Sequence, residues 1–436
     1  FGAVLPFTLP VAKDFQYAQA TQANLAIERQ LTKNMSLQVS YIFVGAHHLP
    51  HPTDLNSPRT DLQIQNFQRF AGRLPISPTE AISTIAIPSG TSAGGVTIGP
   101  GTLFTNNFGV TCGVVIPGMI AQCPTGRVIV PAIANFFRPN SPNYFLATAL
   151  SGGAVNKSVL DSQLPGTLRT PGVISPFGSV NAQVSDGNSN YNALNVELKR
   201  RFANNVTFLA SYTLSKSIDD SSDLQTLLIA QNPRNFRAER SLSLFDQRHR
   251  FVFSGVLASP IAWRSSDNMW ERVFADFTVA PIIELSSGRP FNIITNTDAN
   301  GDQASQTDRP NVLSDGTLCV PGETIGGRVC GSIFETDANN NLIFANGNLG
   351  RNSGRTHSYA SFDLRLSRAI RFGERFRLEL IAEGFNLFNR FNEAAASPNF
   401  RDVNAFGQRS KNGGYYSVPT AAFDPRQFQF GAKLNF

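Results

Sequence analysis

The sequence predicts an all-β protein, a transmembrane antiparallel β-barrel, and three observations lead to this fold class. The last nine residues alternate strictly, with Phe428, Phe430, Ala432, Leu434 and Phe436 on one side of a strand and polar residues or glycine on the other. Only 16% of the residues are charged, whereas 35 are phenylalanine, which suits a wall with one face in lipid. No apolar run approaches the roughly 18 residues of a membrane helix.

The first predicted hairpin lies near the N-terminus. Residues 24–31 and 35–43 alternate between apolar and polar side chains around a short turn. Residues 194–202 and 206–215 repeat the pattern around a turn at 203–205, so the hairpin is a repeated unit.

Two further hairpins and the terminal strand complete the prediction of nine strands. Residues 251–257 and 277–285 alternate on either side of a connection of medium length, and residues 362–366 and 376–382 do so around a tight turn. Proline cannot donate a hydrogen bond to a neighbouring strand, so Pro281 predicts a bulge or a shortened strand at that point.

The connections alternate in length, and this alternation predicts a topology. Each hairpin closes through a short turn, whereas the connections between hairpins are long: 46–189, 218–247, 287–357 and 389–427. Outer-membrane barrels have short periplasmic turns and long extracellular loops. We therefore expect these four segments to be extracellular loops and the C-terminal Phe436 to lie at the periplasmic rim.

Three arginines interrupt the apolar faces of the strands. Arg29, Arg200 and Arg368 each lie two residues before an apolar residue that ends a strand. A guanidinium near the periplasmic rim can reach lipid phosphates at small cost. We expect these three residues to contact lipid there; the alternative is an ordinary exposed arginine near a turn.

Nine strands do not make a complete barrel. Single-chain bacterial barrels have an even number of strands, and an open sheet edge in hydrocarbon leaves unpaired backbone groups. We expect the chain to be the C-terminal part of a larger barrel, with earlier strands absent.

An ordered set of segments resembles the Oar-like TonB-dependent outer-membrane receptors, over about residues 22–436. Among them are Ser185-Asp186-Gly187-Asn188, Phe245-Asp246-Gln247-Arg248-His249-Arg250-Phe251, Ser287-Gly288-Arg289-Pro290-Phe291, Asp308-Arg309-Pro310-Asn311 and Glu383-Gly384-Phe385-Asn386-Leu387-Phe388-Asn389.

The resemblance implies a barrel of roughly 22 strands, normally filled by an N-terminal plug that contacts TonB and gates energised uptake of a large solute. We expect a monomer in the bacterial outer membrane, in contact with lipid and lipopolysaccharide. The expected partners are the barrel-assembly machinery, through the C-terminal strand with Phe428, Phe430, Leu434 and Phe436, and TonB, through a plug that this sequence lacks. The extracellular solute is unknown.

The four cysteines form two pairs of equal spacing in separate long loops. Cys112 and Cys123 form one pair, and Cys319 and Cys330 form the other. Extracellular loops are oxidising, so two local disulfides are expected. Zinc is the alternative, but ligand spacings of the C-x2-C type are absent.

One loop resembles a calcium-binding loop. Asp298, Asn300 and Asp302 supply oxygen ligands at alternate positions, and Asp308 follows. Calcium loops of this type carry a bidentate glutamate at position twelve, whereas Arg309 stands there. A polar loop of Asx-turns is the simpler interpretation, and no other cofactor is expected.

Other polar clusters are predicted to be structural. His47, His48 and His51 could bind a soft metal, but rim packing is the preferred interpretation. A second cluster of Asp219, Asp220 and Asp223 is predicted to be a solvated loop face, with cation binding as the alternative.

The sequence gives no indication of catalysis. It contains no G-x-S-x-G, H-E-x-x-H or P-loop motif. The net charge of +6 is scattered, so no nucleic-acid partner is expected. Three alternatives stay open: a passive porin, an adhesin or secretion-linked barrel acting through the 46–189 loop, and a soluble β-rich binding protein.

Overall fold

A computed structural model describes residues 10–61, 180–222, 230–302, 304–373, 376–402 and 418–436, together with the backbone of five short strands between residues 86 and 131. The main sheet of this part of the chain has ten strands, of which one is the short strand Ser241–Leu242. The other nine are long and are paired antiparallel in sequence order, as predicted. The long strands are β1 Gln19–Thr32, β2 Met35–Asp54, β3 Asn181–Ala203, β4 Val206–Asp219, β5 His249–Ala258, β6 Phe277–Ser286, β7 Tyr359–Phe372, β8 Phe376–Phe385 and β9 Gln427–Asn435. The sheet is open, with β1 and β9 at its two edges.

The register aligns the apolar residues of neighbouring strands on one face. One row of directly paired residues runs across seven strands: Ile27, Val39, Val196, Tyr212, Phe251, Leu285 and Ala360. The next row on the other face is Glu28, Gln38, Glu197, Ser211, Val252, Glu284 and Ser361. Because paired residues point to the same side of a sheet, the sheet has one apolar and one mainly polar face.

Tight turns join the strands at one end of the sheet. The β3–β4 turn holds Asn204 and Asn205 at φ 51° and 64°, the left-handed geometry that two-residue hairpin turns need and asparagine tolerates. The β7–β8 turn holds Gly373 at φ 66°. The β5–β6 connection at the same end contains a 3₁₀ helix, Ile261–Ser265, and helix α1, Met269–Val273.

Exposed aromatic side chains gather at the end of the sheet that carries these turns. They are Phe202, Trp270, Phe274, Phe372, Phe376 and Phe436. The three arginines of the apolar face lie at this end too, because Arg29, Arg200 and Arg368 precede turns. The Arg368 guanidinium lies over the Phe277 ring, 5.0 Å from its centroid. Aromatic girdles flank the lipid-facing band of membrane barrels, and contact of the arginines with lipid stays a prediction.

Pro281 does not cause the predicted bulge. Strand β6 keeps one register with β5 on both sides of it, from Ser254–Ile282 to Leu257–Val279. On its other edge Pro281 pairs directly with Leu364. The missing N–H removes a donor without adding a residue to the strand, so the register does not shift.

The first loop is shorter than predicted at both of its ends, because β2 continues to Asp54 and β3 begins at Asn181. Residues 46–54 and 181–189 therefore belong to strands. The pairing slips between Ala46 and His51, where His48 has φ 57°. Such irregularities break the period-two alternation, so the sequence pattern ended before the strand did.

The long connections carry structure of their own. Short paired strands lie outside the main sheet: Pro290–Phe291 with Gly354–Arg355, Asn311–Val312 with Leu318–Cys319, Thr324–Ile325 with Arg328–Val329, Phe334–Thr336 with Leu342–Phe344, and Glu393–Ala396 with Pro419–Ala422. Ser241–Leu242 pairs with the end of β4. Backbone strands at Ala86–Ile87, Thr102–Thr105 and Ile129–Pro131 form a small sheet, and Ser92–Ala93 pairs with Val96–Thr97.

A small apolar core lies inside the 287–357 connection. Ile293, Leu318 and Leu349 pack with Phe400 of the β8–β9 connection, so these two long connections share a core. None of the helices in the described part of the chain is long and apolar enough to cross a bilayer.

If the apolar face contacts lipid, Phe253→Arg should destabilise the folded protein by about 2–4 kcal/mol, because it brings a charge to the middle of that face. Phe253 is paired with Ala210 and Ile283 within the apolar rows. The measurement is urea unfolding of the full-length protein in lipid vesicles, with folding followed by heat-modifiable gel mobility.

Val252→Arg is the matched control on the neighbouring residue. Val252 faces the opposite side, paired with Ser211 and Glu284, where an arginine would lie on the mainly polar face, beside the existing ion pair of Arg250 with Glu284. Equal destabilisation by both variants would contradict a lipid-facing surface.

Candidate functional site

A buried ion pair between two long connections forms the centre of the candidate site. Arg309 donates from Nη1 to Glu239 Oε2 at 2.7 Å and from Nη2 to Glu239 Oε1 at 3.0 Å. Both side chains are almost fully buried, with 6% and 4% of their surface exposed. Such a two-point, charge-assisted contact fixes the orientation of both groups.

Arg351 extends this contact to the end of strand β4. Its Nε donates to the backbone oxygen of Glu239 at 2.6 Å, and its Nη2 donates to the backbone oxygen of Asp219 at 2.6 Å and to the Asp219 carboxylate. The Nη1 group donates to Ser222 Oγ at 3.2 Å. We call Asp219, Glu239, Arg309 and Arg351 the buried ion-pair network.

The network contradicts the prediction that Asp219, Asp220 and Asp223 form a solvated face. Asp219 and Asp220 are buried. Asp219 pairs with Arg351, and Asp220 accepts from Arg240 Nη1 at 2.9 Å. Asp223 lies outside the described residues. Their cationic partners come from later parts of the chain, so local sequence gives no sign that these carboxylates are covered.

Backbone contacts hold Arg309 in place. Its N–H donates to Gln231 Oε1 at 3.0 Å and its Nε to the Leu349 oxygen at 2.9 Å. The chain at Gly347 passes so close that a Cβ there would lie 1.7 Å from the Arg309 oxygen. Only glycine allows this approach, so Gly347 helps to determine where the guanidinium lies.

The 287–357 connection is also closed by a disulfide. Cys319 and Cys330 are bonded, with their Cα atoms 5.9 Å apart, so the prediction is confirmed for this pair. Asn311 lies beside it and donates from Nδ2 to the Cys330 oxygen at 3.1 Å. Cys112 and Cys123 lie outside the described residues.

The loop predicted to resemble a calcium site brings its acidic residues together. The N–H of Asp302 donates to Asp298 Oδ1 at 3.0 Å and to Asn300 Oδ1 at 3.1 Å. The Asp308 carboxylate accepts through Oδ2 from the N–H groups of Ala299 and Asn300. Burial raises the pKa of the Asp308 carboxyl well above its usual range, and the charges of Asp302 and Asp298 raise it further.

The three histidines near the end of β2 do not converge. His47 contacts Asn188 Oδ1 at 2.8 Å, His48 contacts the Ser185 oxygen at 3.3 Å, and His51 contacts Asp186. The ring of His51 also stacks on Phe236 at 3.7 Å. In the described residues, no group of three or more His, Cys, Asp or Glu side chains is arranged to hold a metal ion.

A small cavity of about 70 Å³ borders the buried ion-pair network. Its lining includes His51, Asp220, Glu239, Arg309 and Arg351. Small-molecule sites are typically about 300–1,000 Å³. The cavity is therefore the size of a few water molecules and too small for a large solute.

The polar face of the sheet carries charged residues that alternate in sign near β7 and β8. Arg365 lies 3.9 Å from Glu379 and 3.5 Å from Glu383, and Lys433 of β9 is paired with Glu379. Glu197 and Lys199 lie on the same face in β3, where Glu197 is paired with Gln38.

Sequence reasoning did not identify the buried ion-pair network. Arg309 lies within the quoted Asp308-Arg309-Pro310-Asn311 segment, which indicated a family but not a role. Glu239 and Arg351 carry no local signal. In the terminal strand, Phe428, Phe430 and Leu434 are exposed on the apolar side of β9, and Phe436 follows directly after it; assembly through this strand stays a prediction.

Comparison with known proteins gives one family and several distant structures. A family model described as Outer membrane beta barrel domain matches residues 5–429. No curated protein sequence matches the chain significantly.

Three solved structures illustrate the distant similarity. The outer membrane transporter YddB from Escherichia coli is 9% identical with a TM-score of 0.38, and the match covers 98% of this chain and 34% of that one. FpvA from P. aeruginosa, solved bound to heterologous pyoverdines, is 7% identical with a TM-score of 0.35 and coverages of 96% and 27%. The copper transporter OprC is 7% identical with a TM-score of 0.34 and coverages of 97% and 32%. The chain thus spans about a third of the length of these proteins.

Arg309→Ala should loosen the 287–357 connection, because Glu239 would be left buried without its partner at a cost of about 3–5 kcal/mol. The measurement is hydrogen exchange of this segment in the full-length protein. The matched control is Arg328→Ala in the same connection, whose partner Asp315 is exposed; it should change little. Equal effects of the two variants would contradict a central role for the buried ion-pair network.

Replacing Cys319 and Cys330 together by serine should destabilise the same connection by about 3 kcal/mol, the loop-closure contribution of a short covalent loop. The measurement is the rate of limited proteolysis between residues 311 and 345. Substitution is preferable to a reductant, which would act on other disulfides as well. An unchanged rate would show that the segment is ordered without the disulfide.

Proposed function

The chain belongs to the outer membrane β-barrel domain family, and from this premise we propose that it forms the wall and extracellular loops of an Oar-like TonB-dependent receptor that takes up a large solute. The family match extends over residues 5–429. Proteins of this class lie in the bacterial outer membrane, and the wall itself performs no covalent chemistry.

The single observation that supports a membrane wall most strongly is the apolar face of the nine-strand sheet. Its side chains are widely exposed in the isolated chain, as with Leu25, Ile27 and Phe430. A soluble protein rarely exposes an apolar surface of this extent. Lipid covers such a surface, and the opposite polar face then borders an aqueous interior.

The same topology supports the orientation that we propose. By analogy with outer-membrane barrels, we assign the short turns and the aromatic cluster to the periplasmic rim and the long connections to the outside of the cell. The C-terminal residue is then periplasmic, where the terminal strand is available to the barrel-assembly machinery. Lipopolysaccharide would contact the outer part of the apolar face.

The transport step rests on the sequence resemblance rather than on the sheet. The quoted segments resemble Oar-like receptors, which implies a plug and a TonB contact in a longer protein. The two unpaired edges, β1 and β9, support the presence of further strands, since an open edge in lipid is costly. Extracellular loops would capture the solute, and force on the plug would open the polar interior.

The experiment is to purify the native protein from detergent-extracted outer membranes, determine its intact mass and N-terminal sequence, and test its binding to the periplasmic domain of TonB. We expect a mass far above 47.4 kDa, a plug sequence ahead of the barrel, and binding to TonB. A native chain without a plug that does not bind TonB would contradict the receptor and favour a passive porin.

One alternative is an adhesin or a secretion-linked barrel that acts through the long first connection, and it can be tested on the same preparation. Deleting residues 62–179 should leave membrane insertion and TonB binding intact. Loss of surface attachment or of protein secretion with uptake retained would instead support an adhesin or a secretion-linked barrel. Release of the native protein without detergent would contradict every membrane proposal.

A further inference from the structure

The β5–β6 connection, residues 259–276, is much the longest of the described connections at the turn end of the sheet. Its large exposed apolar side chains are Ile261, Met269, Trp270, Val273 and Phe274. Trp270 is 64% exposed and Phe274 51% exposed, although aromatic rings of this size are mostly covered in folded proteins. A single exposed apolar residue is ordinary, but a cluster of this kind marks a surface that another phase or molecule covers.

Helix α1 gathers four of these side chains on one face. At 3.6 residues per turn, residues four apart lie in one row along a helix. The two apolar rows are adjacent: Met269 with Val273, and Trp270 with Phe274, which follows the helix directly. Glu271 and Arg272 fall on the opposite side. An amphipathic helix with tryptophan on its apolar face is typical of a segment that lies in the plane of a membrane interface.

The apolar side of helix α1 continues the apolar face of the main sheet. The Phe274 ring lies 6.1 Å from the Phe277 ring, measured between centroids. Phe277 begins β6 on the same face as Val279, and the Arg368 guanidinium covers its ring. The helix therefore enlarges the surface that the strands already present and does not border the polar face.

Hydrogen bonds hold the connection in this position. Arg264 donates from Nε to both carboxylate oxygens of Asp276, at 2.8 and 3.0 Å, which ties the 3₁₀ helix to the start of β6. The N–H of Ala369 in β7 donates to the Asp276 backbone oxygen at 3.1 Å. At the base of the connection, the N–H of Phe277 donates to Ser259 Oγ at 3.1 Å. The exposed apolar side chains thus lie on an element that is fixed to two strands.

We propose that the β5–β6 connection is an interfacial anchor, which lies in the headgroup region of a phospholipid leaflet with Trp270, Val273 and Phe274 among the upper acyl chains. The inference rests on the proposed membrane wall, because lipid must already cover the adjoining face of the sheet. One medium then covers both surfaces, since the contact of Phe274 with Phe277 leaves no polar boundary between them.

The charges of the connection indicate which kind of lipid surface it suits. Its two cations and three anions are Arg264, Arg272, Asp267, Glu271 and Asp276, and Arg264 is paired with Asp276. Attraction to anionic lipid needs an excess of lysine and arginine, which this segment lacks. Burial of apolar surface therefore supplies the affinity, and a zwitterionic phospholipid is sufficient.

The test uses the full-length protein reconstituted in phosphatidylcholine vesicles, in which brominated lipid quenches nearby tryptophans. The emission of Trp270 is the difference between the wild-type protein and Trp270→Phe. We expect bromine near the headgroup end of the acyl chains to remove most of this emission, and bromine near the chain ends to remove less. Heat-modifiable mobility confirms that each sample is folded.

Two further variants test the wall separately from the anchor. Phe253→Trp places a probe in the middle of the apolar face, and Val252→Trp places the matched probe on the opposite face. Chain-end bromine should quench the added emission of Phe253→Trp and should leave that of Val252→Trp unchanged. If the Phe253→Trp probe is not quenched, the membrane wall is wrong and the anchor is wrong with it.

The anchor alone is overturned if the Phe253→Trp probe is quenched but Trp270 is not. Acrylamide in the aqueous phase then identifies what surrounds the helix. Quenching of Trp270 by acrylamide would show that the helix lies in water. Protection from acrylamide as well as from brominated lipid would show that protein covers it, either another part of the full-length chain or a second copy.

Discussion

The backbone hydrogen bonds between neighbouring strands are the constraint on which the rest of the structure depends. In hydrocarbon every N–H and C=O group must find a partner within the protein, so the strands can pair only in registers that leave few gaps. The registers observed here also bring apolar residues into common rows, such as the row through Val196, Tyr212 and Phe251. Pairing and burial in lipid therefore select the same arrangement, and a slip by one residue would expose the polar row to lipid.

The connections at the opposite end of the sheet are ordered by different interactions. Among their described residues, a small cluster around Ile293 and Phe400 supplies apolar packing. Two arginines and two carboxylates, Arg309, Arg351, Glu239 and Asp219, join the connections on either side of β5 and β6. A buried ion pair adds little net stability compared with apolar packing, but its directional contacts permit few alternative arrangements. We infer that the network fixes the shape of the loops rather than their stability.

The sequence predicted the strands better than the loops, and individual residues show why. Alternation in β7 and β8 needs only neighbouring residues, so both hairpin strands were found. Pro281 was expected to disturb its strand, yet a missing donor at one position did not shift the register. The first loop was predicted too long because irregular pairing near His48 ended the alternation before the strand ended. Asp219 and Asp220 were expected in solvent because their arginine partners lie far along the chain.

The sequence by itself determined the class of the fold, the number of long strands in the described chain, the face of each strand and the pairing of Cys319 with Cys330. These features depend on local periodicity, on turn residues and on cysteine spacing, which can all be recognised from residues close together in the sequence. The tertiary structure decided which charges are buried and with which partners, because contacts such as Arg309 with Glu239 join residues that are far apart in the chain. It also showed that Asp308 is enclosed beside Asp298 and Asp302, since burial depends on how whole loops pack together.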